Sequence, residues 1–177
     1  MTTVAILNSL TEEIKDIITN GVDSSWDEES PGGSPVVGGI STGEDFDGFT
    51  IYAETLNDTY ALKGVMSTPY ILVTSQATKS SYFLTGEDSF NFTFSFELVT
   101  NVSTTKSISG NSYAKYELMN WYLEQLQYLM ENFNTTSITE VEDRVVETIN
   151  HGEIKVGNEL VFVGTITLTL EAIDSTT

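Results

Sequence analysis

Residues 90–98 read Phe-Asn-Phe-Thr-Phe-Ser-Phe-Glu-Leu, an unbroken alternation of apolar and polar side chains. Successive side chains of a strand point to opposite faces, so Phe90, Phe92, Phe94, Phe96 and Leu98 share one face. Asn91, Thr93, Ser95 and Glu97 share the other, which meets water or a polar interface. A one-residue slip in pairing would move every ring into solvent, so the register is strongly specified. This strand must lie in a sheet with a covered face and a polar face.

Further strands follow from the same logic. Gly164–Ile173 alternates again after the apolar run Leu160–Val163, with Gly157-Asn158 as the hairpin turn leading in. Pro69 opens Tyr70–Thr74, a continuous β-rich run suited to a buried strand. Thr50–Ala53 is a short strand, with Asn57-Asp58 as a turn and 59–66 as its returning hairpin partner. Phe83 and Leu84 end a strand before the turn Gly86-Glu87-Asp88. Residues 137–150 fit helix or strand; Val141, Val145, Val146 and Ile149 are taken as a strand despite a capping-box pattern at Ser137–Glu140.

Two helices cover the sheet. In residues 4–20, Ile6, Leu7, Leu10, Ile14, Ile17 and Ile18 recur at spacings of three and four, and Gly21 stands where a C-cap glycine belongs. Ser9 and Glu12 offer an alternative start near Leu10. The second helix is expected over 112–133, capped by Asn111 or Ser112. Its stripe of Tyr116, Met119, Leu123, Leu126, Met130 and Phe133 is widened by Leu118, Trp121, Tyr122 and Leu129. That excess either packs away as a well-buried core helix, the reading favoured for most of these side chains, or leaves surface for a partner, and Trp121 is expected off the core stripe. The fold class is therefore α+β: a mainly antiparallel twisted sheet with two amphipathic helices packed on one side.

All 177 residues are expected to form a single domain. It is interrupted by a long acidic Gly/Ser/Pro-containing loop at about 22–50. Trp26, Phe46 and Phe49 are apolar rings in acidic surroundings there, and they either fold back on this chain or dock on a neighbouring subunit.

The charge excludes several functions. Asp and Glu number 26 against seven Lys and Arg, a net −19, and the seven cations are never adjacent. Neutralising phosphates takes clustered cations, so tight nucleic-acid binding and attraction to anionic lipid are not expected. Ser and Thr supply 43 residues. Such a surface suits a saline environment, because at about 1 M salt the Debye length is roughly 3 Å and carboxylate repulsion is screened. Apolar runs are too short to span a membrane, and the first eight residues lack the basic region of a secretory signal.

The search for chemistry finds little. Cysteine is absent, which removes disulfides, thiolate metal sites and thiol nucleophiles. His151, the single histidine, stands in the turn-like Asn150-His151-Gly152. No nucleophile elbow, phosphate loop or dinucleotide fingerprint occurs. Glu44-Asp45-Phe46-Asp47-Gly48 faintly suggests a calcium loop but lacks the third spaced acid and the closing Glu. No catalytic, cofactor or metal residue is assigned, and a non-enzyme is expected.

The order of these elements resembles the tail terminator, or tail-completion, proteins of long-tailed viruses. Residues 4–20, Pro69–Thr74, Phe90–Val99, Ser112–Phe133 and Leu160–Ile173 carry the likeness, over roughly two thirds of the chain. The stretch from Val22 to about Ile51 departs from the shorter members of that family. The resemblance implies a ring, commonly a hexamer, that ends tail-tube growth and joins the tube to the neck and head connector. Carboxylates lining its lumen would let genome DNA pass without specific binding. Trp26, Phe46, Phe49, Trp121, Tyr122 and Glu97 are the expected subunit or partner contacts, and the virion tail or neck the location. A tail-tube or other neck subunit is the alternative within that class. A solitary α+β domain binding a small apolar ligand is the alternative outside it.

Overall fold

A computed structural model describes residues 3–20, 46, 48–55, 67–81, 88–108, 111–132, 135–138, 141–156 and 158–174. In chain order the elements are α1 (Thr3–Asn20), β1 (Thr50–Thr55), β2 (Tyr70–Ser81), β3 (Asp88–Asn101), β4 (Thr105–Ile108), β5 (Asn111–Ala114), α2 (Lys115–Asn132), β6 (Asp143–Val156) and β7 (Glu159–Asp174). Among the described residues five strands form one sheet in the order β1-β2-β3-β7-β6, while β4 and β5 form a separate hairpin. Only β1 and β2 run parallel; the other neighbours are antiparallel. The architecture is α+β, with both helices on one face.

The phenylalanine strand sits at the centre of this sheet. Phe92, Phe94 and Phe96 stand opposite Ala77, Ser75 and Val73 on β2 and opposite Leu170, Leu168 and Ile166 on β7. Leu10, Ile14 and Ile18 of α1 and Leu118, Met119, Leu126, Leu129 and Met130 of α2 complete the same buried cluster. Each such side chain contributes about 1.5–3 kcal/mol on full burial, which is why the single-faced alternation decides where the helices go. Polar links fix their placement. Thr11 Oγ1 donates to Ser75 Oγ at 3.3 Å, joining α1 to β2. Thr148 Oγ1 donates to Gln127 Oε1 at 3.1 Å, joining β6 to α2.

Several boundaries differ from the sequence expectation. The first helix begins at Thr3, so no start near Leu10 is used. The second begins at Lys115, because Asn111 and Ser112 pair with Ile108 and Ser107 in the β4–β5 hairpin instead of capping a helix. Lys115 itself has φ +54°, turning the chain sharply from strand into helix. The β2 strand continues well past Thr74 to Ser81, carried by its pairing with β3. The ambiguous stretch is a strand from Asp143 onward. His151 lies inside β6 opposite Gly164 and not in a turn. The β6–β7 pairing runs on to Val156 and Glu159; an irregularity between Thr148 and Asn150 skips Ile149, and Asn150, His151 and Gly152 pair with Thr165, Gly164 and Val163. Residues 59–66 and Phe83–Gly86 lie outside the described residues; the described partner of β1 is β2, in parallel.

Candidate functional surface

Four of the six expected contact residues come together, but inside the protein. Phe46 and Phe49 flank a tight turn closed by a hydrogen bond from Phe49 N to Phe46 O at 3.0 Å. Gly48 takes the left-handed position there, at φ +84°. Both rings meet Tyr122 of α2, Phe46 stacked at 5.8 Å and Phe49 edge-on at 5.0 Å. Trp121 continues the cluster edge-on to Tyr122 at 5.2 Å. Lys106, from the β4–β5 hairpin, places Nζ 5.1 Å from the Trp121 ring centroid and 5.6 Å from that of Tyr122.

Trp121 is only 5% exposed, which corrects its expected place off the core stripe. The wide apolar arc of α2 is covered on two sides by this same chain. Met119 and Leu123 press on β7 at Gly164, while Phe46, Phe49 and Lys106 cover Tyr122 and Trp121. The surplus apolar surface read as a partner site is thus largely used within the fold. Trp26 lies outside the described residues.

Glu97 is on the other face of the sheet, away from this cluster. Its carboxylate accepts a hydrogen bond from the Tyr70 hydroxyl. Burial, reinforced by the Glu97 charge, pushes the Tyr70 pKa up to about 12. Tyr52 on β1 stands edge-on to Tyr70 at 6.1 Å. The two tyrosines were not singled out by sequence. Their placement depends on the parallel β1–β2 pairing, which no local pattern announces.

This outer face, which neither helix covers, is a field of hydroxyls. Across it the register sets Thr74, Ser95 and Thr167 side by side, and in the next row Gln76, Thr93 and Thr169. Thr93 and Thr169 approach to 3.5 Å between their hydroxyl oxygens. The row toward the Tyr70 end is Leu72, Glu97 and Thr165. Leu72, Val99 and Val161 make that end apolar and are buried.

Carboxylates lie on both sides of the sheet, with Glu12, Glu13, Asp16, Glu117, Glu124 and Glu131 on the two helices, but the described cations lie on one. Glu97, Glu171, Asp143 and Glu147 belong to the outer face by strand parity and register. None of the six described cations does. Lys79 lies over the Phe90 ring, Lys106 over Trp121, and Arg144 against the end of α2. Lys15 is on α1, Lys115 starts α2, and Lys155 falls on the helix side of β6. Among the described residues the outer face therefore carries only negative charge.

Its edges are β1 and β6, each paired on one side among the described residues. Val145 and Ile154, on β6, are 43% and 47% exposed. No group of three or more acidic or His side chains that could hold a metal occurs among the described residues. Glu44, Asp45 and Asp47 of the calcium-like stretch lie outside them. No helix is long and apolar enough to cross a membrane among the described residues. The chain matches no protein-family model and no curated protein.

Proposed function

We propose that this protein is a non-enzymatic virion structural subunit, a tail terminator or neck component that assembles as a ring. In this role it caps the tail tube and joins it to the head connector. The observation that carries the proposal is the absence of described cations from the acidic outer face of the sheet. An anionic, hydroxyl-rich face free of described cations is a wall past which a polyanion slides without sticking. The helices lie on the opposite face, and the sheet edges stand between the two. A ring with that face inward would give DNA a lumen it does not bind. Function is then steric and interfacial, and needs no cofactor or metal.

The experiment is imaging of the purified full chain by negative stain, with light scattering, in low and multimolar salt. Closed rings of one size support the terminator. Long cylinders grown by the chain alone would instead make it a tube subunit. A monomer in every salt condition, stabilised by a small apolar ligand, would make it a solitary binding domain. The net charge of −19 adds a second expectation, adaptation to a saline host. The melting temperature should rise between dilute buffer and multimolar salt as carboxylate repulsion is screened.

A further inference from the structure

We infer that neighbouring copies join edge to edge, the β6 edge of one copy pairing antiparallel with the β1 edge of the next. This rests on the ring proposed above and names its joint. Following the pairings from β1 through β2, β3 and β7 to β6 shows that the two edge strands run in opposite directions. A second copy set beside the first, same face up, therefore offers its β1 to β6 in antiparallel sense. No flip is needed, as a cyclic arrangement requires: a ring closes through two different surfaces, repeated by rotation alone. Among the described residues β1 and β6 are each paired on one side only, and the hydrogen-bonding groups of the other side supply the attachment.

The lengths and side chains select a register. β1 spans Thr50–Thr55 and the part of β6 before its irregularity Asp143–Thr148, so an antiparallel joint can pair five residues of each, 50–54 with 147–143. Setting Tyr52 opposite Val145 puts Thr50 opposite Glu147 and Ile51 opposite Val146. The outer face then gains an aromatic–aliphatic pair and the helix face an aliphatic pair, the kinds of cross-strand contact that stabilise sheets. Val145, 43% exposed in the isolated chain, finds cover. The rival occupant is the β6 edge of a copy related by a two-fold axis through the irregularity. That arrangement sets Val145 opposite Ile154, but also Arg144 opposite Lys155 and Val146 opposite Glu153. It also closes a pair and cannot propagate. Copies that each carry a net charge of −19 repel one another, and high salt screens that repulsion, so the joint should tighten as salt rises.

The absence of cysteine makes the test clean. Tyr52→Cys and Val145→Cys full-length chains, mixed and oxidised in multimolar salt, should give covalent dimers that neither gives alone. The chain carrying both substitutions should give a ladder that stops at the ring number. Thr50→Cys with Glu147→Cys serves as a second pair should Tyr52→Cys fail to fold. Val145→Asp, at an exposed position, should reduce the assembly to monomers in light scattering, with the melting temperature of the unsubstituted chain diluted to monomer. Rings that form without these cross-links, or that survive Val145→Asp, overturn the joint and leave the ring standing. Cross-linking of Val145→Cys to Ile154→Cys in its place overturns it in favour of the two-fold pair. Monomers of the unsubstituted chain in all salt conditions overturn joint and ring together.

Discussion

A Cβ placed on Gly164 would stand 2.7 Å from Leu123 Cδ2 and 3.0 Å from Met119 Sδ. The α2 helix is seated on β7 at this glycine. The neighbours are the ends of buried side chains with little room to turn, so a methyl here forces the core to shift. Gly164→Ala should lower the unfolding free energy by about 1–2 kcal/mol, as overpacking does. Leu123→Ala should cost less in that background than in the natural chain, because the two changes relieve one another. Urea unfolding of the four proteins of the cycle measures both.

Arg144, from β6, caps the far end of the same helix. Its Nη1 donates to the carbonyl oxygens of Glu131 at 2.8 Å and Met130 at 3.3 Å. α2 has no basic residue in its own last turn, so this side chain from another element meets the negative end of the helix. Burial lowers the Arg144 pKa, but arginine stays charged throughout the accessible range. Arg144→Met should cost about 1–2 kcal/mol, with Arg144→Lys recovering part of it. Thermal unfolding compares the three.

Glu13 ties α1 to the segment after α2. Its carboxylate accepts from the Thr135 hydroxyl, from Thr136 Oγ1 at 2.6 Å and from Thr136 N at 3.2 Å. Partial burial pushes its pKa up, yet hydrogen bonds from Thr135, Thr136 and Ser137 outweigh it and leave the value below the usual 4.5. The folded pKa is depressed, so this stabilisation is complete above about pH 4.5 and is lost as the pH falls through the folded value. Glu13→Gln should therefore cost about 1 kcal/mol at pH 7, and its difference from the natural chain should shrink toward pH 3. A stability–pH series on both chains checks the sign.

Gln125 is fully buried on α2, and neither its Oε1 nor its Nε2 has a hydrogen-bond partner among the described residues. Unmade hydrogen bonds in the interior cost about 1–3 kcal/mol. Gln125→Leu should raise the melting temperature and the unfolding free energy. A drop would reveal that the amide is bonded in the assembled protein, and comparing salt conditions that favour monomer and ring locates the bond.

Much of this architecture is legible in the chain itself. The alternations at Phe90–Leu98 and Gly164–Ile173 assign two strands and their buried face, because a period of two has one physical outcome in a half-covered sheet; that the two are neighbours comes from the structure. The isoleucine stripe from Ile6 to Ile18 assigns α1. The start of α2 was not legible: Asn111 and Ser112 suit a helix cap as well as the hairpin that claims them, and the hairpin depends on pairing with β4. The site was harder still. Phe46, Phe49, Trp121 and Tyr122 drew notice as rings with apolar surface to cover, yet what covers them is each other, across more than seventy residues of chain.

Periodicity and charge, both local or additive properties, settled for this protein that it has a two-faced sheet, two covering helices and a strongly acidic surface. Only the tertiary structure decided that β1 lies parallel to β2, that Tyr70 reaches Glu97, and that every described cation falls away from the outer face. Those facts depend on which strands become neighbours. Neighbourhood across long chain separations is set by the packing of the whole core, and no single stretch of residues carries it.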